Sequence, residues 1–112
     1  MSFTRLENLP FVGMSHQFIG EEQSAPVSIY FVQAPPGRGP VLHFHPYVEV
    51  AIVQEGRATI TVGDEQREAT AGDIVVIPAG TPHKFVNSGT STLRQIDIHV
   101  SPRFIQTDLE TR

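Results

Sequence analysis

The sequence predicts an all-β fold, organised as a sandwich, a barrel or a jelly roll. Nine glycines and nine prolines separate short runs that are rich in valine, isoleucine, threonine and phenylalanine. Alternation of turn formers with β-branched and aromatic residues is typical of strands. The runs recur about every ten residues, a spacing found in sandwiches and barrels. No window shows a convincing helical period, so we expect strands to dominate.

Eight runs are candidate strands, and turn residues separate them. They span residues 16–20, 27–34, 41–45, 48–54, 58–63, 73–78, 83–87 and 93–100. The segment 34–40 contains three prolines, which lack the N–H that a sheet requires, so we expect a loop there. Residues 54–57 and 62–68 are predicted hairpin connections, because each contains a glycine that can adopt positive φ. The tail 103–112 is the one helical candidate, but it is short and polar and is predicted to be a frayed terminus.

Two strands show informative patterns of side-chain polarity. In 48–53 both faces are apolar apart from Glu49, which predicts an inner strand or one at a subunit interface. In 94–100 the apolar residues share one face, while Gln95, Asp97 and His99 share the other. This second strand is therefore either half exposed, or its polar face lines a wet cavity.

The chain of 112 residues is expected to form a single domain, because single cores dominate up to about 200 residues. Within 1–112 we expect N-terminal strands over 1–35, a barrel carrying the polar motifs over 36–100, and a C-terminal tail over 101–112. Folding at this size buries roughly two-thirds of the unfolded chain's surface, so the core needs no structural metal or disulfide. A metal bound to this chain is therefore expected to have a functional role rather than a structural one.

Composition excludes several classes of partner and site. Eight Lys and Arg against twelve Asp and Glu give a net charge of -4, without the cation clusters that nucleic-acid binding requires. The absence of cysteine excludes disulfides, thiolate zinc sites and cysteine nucleophiles. The sequence shows neither a signal-peptide pattern nor a stretch near the roughly 18 apolar residues of a membrane span. We expect a soluble, cytoplasmic protein that binds neither nucleic acid nor membrane.

Three polar side chains interrupt the apolar run VLHFHPYVE, residues 41–49. His43 and His45 project to the same face of a strand, about 6.5 to 7 Å apart, and one metal ion can bridge that distance. Glu49 shares their parity if no bulge forms at Pro46. One such histidine is more often a satisfied core residue, but an unpaired buried carboxylate costs several kcal/mol. Three groups in register therefore favour a metal site.

A fourth ligand is available in His83, although spacing alone does not establish its role. Gly37, His43, His45, Glu49 and Gly56 match the first motif of the cupin superfamily, G(X)5HXH(X)3,4E(X)6G. Gly72, Pro78, Gly80, His83 and Asn87 match the second, G(X)5PXG(X)2H(X)3N. With both motifs complete and 15 residues between them, the chain resembles a small single-domain cupin, a metal-binding monocupin of the conserved-barrel type.

The resemblance implies an antiparallel jelly-roll β-barrel of six to eight strands. It also implies one divalent metal per chain, held by His43, His45, Glu49 and His83, whereas Asn87 is expected to be a structural contact. Small cupins commonly dimerise, and the doubly apolar strand 48–53 agrees, so we expect a homodimer. The chain offers no long insertion to close the barrel mouth, so a lid must come from the termini or from a partner subunit.

The ligand types favour Fe, Mn, Ni, Co, Cu or Zn as the metal, and they do not select among these. With about two open coordination positions, the metal could bind a small organic ligand or substrate. The leading hypothesis is an oxidoreductase of dioxygenase type. A non-catalytic binding protein and a Lewis-acid isomerase or cyclase remain alternatives. His99 is a candidate general base or a solvated surface histidine, and Tyr47 is the other catalytic candidate because it could line the mouth.

Overall fold

The computed structural model describes residues 1–111, and these form two antiparallel sheets around a shared core. The eleven strands of this part of the chain are β1 (Phe11–Val12), β2 (Ser15–Phe18), β3 (Ser28–Ala34), β4 (His43–Phe44), β5 (Glu49–Glu55), β6 (Arg57–Val62), β7 (Glu65–Thr70), β8 (Ile74–Ile77), β9 (His83–Asn87), β10 (Leu93–His99) and β11 (Thr107–Asp108). One sheet has the order β1-β2-β3-β10-β5-β8, and the other has the order β11-β4-β9-β6-β7. The predicted all-β, jelly-roll fold class is confirmed.

The apolar core occupies one end of the space between the sheets. Val53 on β5 and Leu93 on β10 pack there against Ala58 and Ile60 of β6, and Leu93 is the largest fully buried side chain. Burying a side chain of this kind contributes about 1.5 to 3 kcal/mol. The same two strands carry Glu49 and His99 at their other ends, so the opposite end of the sandwich is polar.

The prediction of a loop over 62–68 is wrong in its extent. Only Gly63 and Asp64 form the turn, and residues 65–70 continue as β7, paired along their length with β6. Every residue of β7 except Ala69 is exposed. An edge strand with both faces in water has no need of apolar alternation, and for this reason the sequence pattern does not reveal it.

The prediction of a hairpin at 54–57 is also wrong, although its glycine behaves as expected. Gly56 adopts a φ of 89°, the left-handed conformation that favours glycine. The strands on either side of it, however, lie in different sheets. The turn therefore passes the chain from one sheet to the other across the end of the sandwich.

The C-terminal tail is neither helical nor frayed as far as residue 111. Thr107 and Asp108 form β11, which pairs with β4, and the Leu109 N–H donates to the carbonyl of Leu42 at 2.8 Å. The backbone pairing outweighs the polar composition that suggested a loose end. The last residue of the predicted tail, Arg112, lies outside the described part of the chain.

The polar face of β10 points inward, which decides between the two predictions made for 94–100. Gln95, Asp97 and His99 are all buried, whereas Val100 is 51% exposed. Strand β5 lies between β10 and β8, so the prediction of an inner strand is confirmed. Within residues 1–111, no helix has the length and apolarity needed to cross a membrane.

Candidate metal centre

Four side chains converge at the polar end of the sandwich, and both sheets contribute. His43 on β4 and His83 at the start of β9 are direct partners in the antiparallel register. His45 follows β4 immediately, and Glu49 begins β5 in the opposite sheet. The sandwich thus brings together residues that lie 34 positions apart in the chain.

The donor atoms of these four residues form one compact cluster. One ligand atom from each of them lies within 4.8 Å of all the others, and all four residues are buried. The Oε1 atom of Glu49 lies 3.2 Å from Nε2 of His45 and 3.2 Å from Nε2 of His83. These separations leave room for one ion between the four side chains, because imidazole nitrogens and carboxylate oxygens bind such ions at about 2.0 to 2.2 Å.

Each of the three histidines is held by its second ring nitrogen. In each ring Nδ1 faces a backbone carbonyl, which can only accept a hydrogen bond, so Nδ1 carries a proton. In a neutral ring the Nε2 lone pair then faces the cluster, an arrangement that metal-binding histidines commonly show. The acceptors are the carbonyls of Val41 for His43 at 2.7 Å, of Ile105 for His45 at 2.8 Å and of Thr81 for His83 at 2.8 Å.

The cluster contains a polar atom that the protein itself leaves without a partner. Nε2 of His45 is buried and makes no hydrogen bond within the described residues, and such an atom costs about 1 to 3 kcal/mol. Burial acts to raise the pKa of Glu49, but His45 and His83 beside it hold that pKa below its ordinary value. An ionised carboxylate and an unpaired imidazole nitrogen facing one another fit a divalent cation.

The pKa values of the other two histidines of the cluster, His43 and His83, shift in opposite directions. Burial lowers the pKa of His43. Burial also acts against the charged form of His83, yet the Glu49 carboxylate outweighs it and raises the pKa of His83. The neutral form of His43 suits metal binding, whereas His83 responds mainly to the buried carboxylate. A cation bound to Glu49 would compensate the negative charge that otherwise favours the protonated form of His83.

The catalytic candidates His99 and Tyr47 meet beside the cluster, and the interpretation of His99 as a solvated histidine is wrong. His99 is 3% exposed, with Nε2 at 3.5 Å from Oε1 of Glu49. Its Nδ1 lies 2.7 Å from the Tyr47 hydroxyl. Burial lowers the pKa of His99 to about 4, so the ring is neutral at pH 7. The Tyr47 ring stacks on His45 with centroids 5.0 Å apart, despite the intervening Pro46.

The C-terminal segment covers this corner, as expected for a lid that comes from a terminus. Phe104 packs against Tyr30, with ring centroids 5.3 Å apart. Tyr30 in turn stacks on His99 at 4.7 Å. The alternation of β3 could have placed Tyr30 inside. No sequence signal indicated Phe104, because its position depends on the return of the tail to β4.

A cavity of about 360 Å³ begins at the cluster and extends between the sheets. Its polar lining includes Gln95 and Asp97 on β10, and its apolar walls include Val32, Ile77 and Phe85. Alternation in β10 predicted this polar face, but the sequence did not reveal that it belongs to the same cavity as the cluster. The arrangement can accept a small molecule that reaches from the cluster towards β10.

Two curated proteins of uncharacterised function align with part of the chain. A Streptomyces coelicolor protein is 49% identical over 41 residues, which are 37% of this chain and 39% of the relative. A Methanocaldococcus jannaschii protein is 39% identical over 62 residues, 54% of this chain and 49% of the relative. The matched part is thus less than half the length of either relative.

Several solved structures share the fold. A mutant of Bacillus subtilis oxalate decarboxylase gives a TM-score of 0.82 at 21% identity, covering 95% of this chain and 31% of that chain. Another structure of the same decarboxylase, described for its Mn(II) centres, gives 0.79 at 23% identity over 93% of this chain and 30% of that one. Oxalate oxidase in complex with glycolate gives 0.69 at 24% identity over 75% of this chain and 46% of that one.

The fold, the two motifs and the family comparison agree. Residues 30–99, more than half of the chain, match the family model of the cupin domain. These residues include all four side chains of the cluster and extend from Tyr30 on β3 to His99 on β10. The chain therefore belongs to the cupin domain family.

Proposed function

We propose that this cupin binds one divalent transition metal through His43, His45, Glu49 and His83, and that the metal holds a small organic substrate in the adjoining cavity. The observation that carries the proposal is the convergence of four buried donor groups within 4.8 Å. Because each Nδ1 is already bonded to a backbone carbonyl, the imidazoles are oriented before any ion arrives.

The identity of the metal is a matter for measurement. Three imidazoles and one carboxylate suit Fe, Mn, Ni, Co, Cu and Zn, and affinity alone would favour Cu. Manganese should be tested early, because the decarboxylase of the same fold is described for its Mn(II) centres. Selectivity in cells also depends on which metals are available.

The charge of the filled site favours an anionic ligand. A divalent ion with one carboxylate and three neutral imidazoles leaves a net charge of about +1 in a buried place, where charge is weakly screened. A small carboxylic acid can neutralise it while also occupying the open coordination positions. The glycolate complex of oxalate oxidase is in keeping with this choice.

For the reaction we propose an oxidoreductase of dioxygenase type. A redox-active metal would supply the activation of oxygen, and the protein would orient the substrate and exclude water. Phe104 and Tyr30 shield the cluster on one side. Tyr47 and His99 form a neutral hydrogen-bonded pair next to Glu49, which could hold a proton near the substrate. Oxygen uptake by protein loaded with Fe(II), Mn(II) or Cu(II), assayed with small carboxylic acids as well as with enediols, catechols and β-diketones, tests this reaction type.

Two other outcomes of that assay are informative. Turnover with Zn(II) in the absence of oxygen would identify a Lewis-acid isomerase or cyclase. Thermal stabilisation by a compound that is recovered unchanged, together with no oxygen uptake for any metal, would identify a binding protein. Either result would exclude the dioxygenase.

Metal content measured after purification without chelators tests the site itself. His45→Ala should reduce the metal from one ion per chain to a small fraction, while the far-ultraviolet circular dichroism stays that of a β protein. His16→Ala is the matched control, because His16 on β2 faces the carbonyl of Leu9 and lies outside the cluster. Equal metal content in the two variants would show that the assigned site is wrong.

We also propose that the chain folds as a single domain and forms a homodimer through the outer face of its six-stranded sheet. Six apolar side chains on the outer face of β5, β8 and β10 lie next to one another and form one continuous surface. They are Val50, Ile52, Ile74, Val76, Ile96 and Ile98. Ile74 and Val76 are 65% and 62% exposed, and large exposed apolar surfaces commonly mark subunit contacts.

A further inference from the structure

Gln95 is a buried side chain with an unused hydrogen-bonding atom. It is 2% exposed, and its Nε2 donates to Oδ1 of Asp97 at 2.7 Å. Its Oε1 has no hydrogen-bond partner within the described residues. Burying an unsatisfied amide oxygen lowers the free energy of unfolding. The bond to Asp97 uses the nitrogen end of the amide and leaves this oxygen uncompensated.

The residue that carries this unused atom lines the cavity that contains the candidate metal centre. Gln95 and Asp97 line that cavity together with Glu49 and three cluster histidines. Buried polar groups that lack an internal partner are a feature of binding sites, where the ligand supplies the missing bond. The cavity therefore has two polar ends, one at the cluster and one at the Gln95 amide.

A hydroxyl group is a small functional group that can form hydrogen bonds with both Gln95 and Asp97 at the second polar end of the cavity. It can donate to Oε1 of Gln95 and at the same time accept from a carboxylic acid. Burial raises the pKa of Asp97 well above its ordinary value. The neutral acid is thereby favoured, and it has an O–H to offer. A second carboxylate on the ligand would instead meet the lone pairs of Oε1.

The strand sets the distance between the two ends. His99, whose Nε2 lies 3.5 Å from Glu49, is two residues from Asp97 on the same face of β10, which corresponds to about 7 Å along the strand. Gln95 lies two residues farther, but its side chain reaches Asp97 at 2.7 Å, so the second polar end begins beside Asp97. A span of about 5 to 7 Å matches roughly four carbon–carbon bonds of about 1.5 Å each. Apolar walls at Val32, Ile77 and Phe85 suit the carbon chain in between.

We infer that the ligand of this cupin is a short hydroxylated carboxylic acid, bound at the metal by its carboxylate end and at Gln95 and Asp97 by a distal hydroxyl group. This inference rests on the proposed function, since it takes the metal end of the ligand from it. Gln95 is then a specificity-determining residue that selects among acids able to bind the metal.

Matched pairs of probe compounds test the inference on protein loaded with Mn(II). The pairs are α-ketobutyrate with γ-hydroxy-α-ketobutyrate, and α-ketovalerate with δ-hydroxy-α-ketovalerate, each titrated calorimetrically. The two members of a pair share the same chelating end and differ only in the distal hydroxyl. We expect the hydroxylated member of at least one pair to bind about tenfold more tightly, the size of effect that one buried hydrogen bond produces.

Two variants test whether Gln95 is the source of the preference for the hydroxylated compound. Gln95→Met keeps the length of the side chain and removes the amide, so it should bring the ratio of the two dissociation constants close to one without changing the Mn(II) affinity. Gln33→Met is the control, because Gln33 is the same residue type on the outer face of the neighbouring strand β3. It should retain the tenfold ratio.

The outcomes separate the inference from the proposed function. Equal dissociation constants within both pairs in the unmodified protein would overturn the role of Gln95, and this comparison does not depend on how any variant folds. Failure of all four probes to bind protein that holds one Mn(II) per chain would overturn it as well. Failure to hold a metal would overturn the proposed function and the inference together.

Discussion

Glu49 and His99 are direct partners across the β5–β10 ladder, and Nε2 of His99 lies 3.5 Å from Oε1 of Glu49. On its other side the His99 ring meets the Tyr47 hydroxyl at 2.7 Å. Burial raises the pKa of Tyr47 to about 12, so the phenol stays protonated and its O–H donates a hydrogen bond to Nδ1 of His99. The proton of the neutral imidazole then resides on Nε2 and points at the carboxylate. His99 is in this respect a positioning residue for Glu49.

Removal of the Tyr47 hydroxyl should weaken metal binding. Tyr47→Phe leaves Nδ1 of His99 without its donor, so the proton can move to that nitrogen and the contact with Glu49 is lost. Loss of such a supporting contact typically costs about 10- to 100-fold in metal affinity. Competition with a chromogenic chelator measures the change. Tyr30→Phe is the control, because Tyr30 stacks on the same ring without a hydrogen bond to Nδ1, and an equal loss in both variants would contradict the positioning role.

Asp97→Asn should make the metal-free protein more stable at neutral pH. Burial raises the pKa of Asp97 in the folded state above the ordinary value of 3.8. The folded protein therefore holds this proton more tightly than the unfolded chain, and stability falls as pH rises from about 4 towards the folded-state pKa. Asparagine does not titrate, so its advantage should be small near pH 4 and larger at pH 7.

Urea unfolding at several pH values measures this difference. Asp64→Asn provides the control, since Asp64 is an exposed carboxylate in the β6–β7 turn and its removal should not produce the same pH-dependent gain. A variant at Asp97 that is less stable than the original protein across the whole range would contradict the assignment of a neutral buried acid.

Asn87→Ala should destabilise the fold while leaving the metal site intact. The Asn87 amide donates to the carbonyls of Ala34 at 2.8 Å and Ser91 at 2.7 Å, and its oxygen accepts from the Gly89 N–H at 2.9 Å. The side chain is 1% exposed, so its removal leaves buried groups unpaired. We expect a loss of about 2 to 4 kcal/mol in the free energy of unfolding.

The metal content of the folded Asn87 variant separates this role from that of a ligand. It should stay at one ion per chain, because no atom of Asn87 belongs to the cluster. A fall in metal content that matches the one expected for His45→Ala would show that Asn87 acts on the site directly.

The proposed dimer should depend on the outer face of the six-stranded sheet. Val76→Lys places a charge on the exposed side of β8, and burying that charge in an interface would be costly. Sedimentation equilibrium at micromolar concentration should show twice the mass of one chain for the original protein and a single chain for the variant. Val86→Lys, on the outer face of the other sheet and 36% exposed, should remain dimeric. A purely monomeric original protein would disprove the proposal.

Most of the site, but not all of the fold, follows from local sequence patterns. His43, His45 and Glu49 can be placed on one face because strand periodicity acts over a few residues. The strand at 65–70 escapes detection because it is exposed on both faces, and pairing with β6 rather than its own composition makes it a strand. The roles of Phe104 and Ile105 cannot be predicted for another reason. Their contacts depend on the return of the C-terminal segment to β4, which local sequence patterns do not reveal.

The anchoring of His45 by the carbonyl of Ile105 has a consequence for biosynthesis. The two residues are 60 positions apart, and His83 follows Glu49 by 34. A chain emerging from the ribosome exposes the segment HFHP, residues 43–46, long before these distant groups exist. Tight and selective binding of the ion therefore requires the carbonyl of Ile105, the last of these groups to be synthesised. The site cannot discriminate between metals until the barrel has closed.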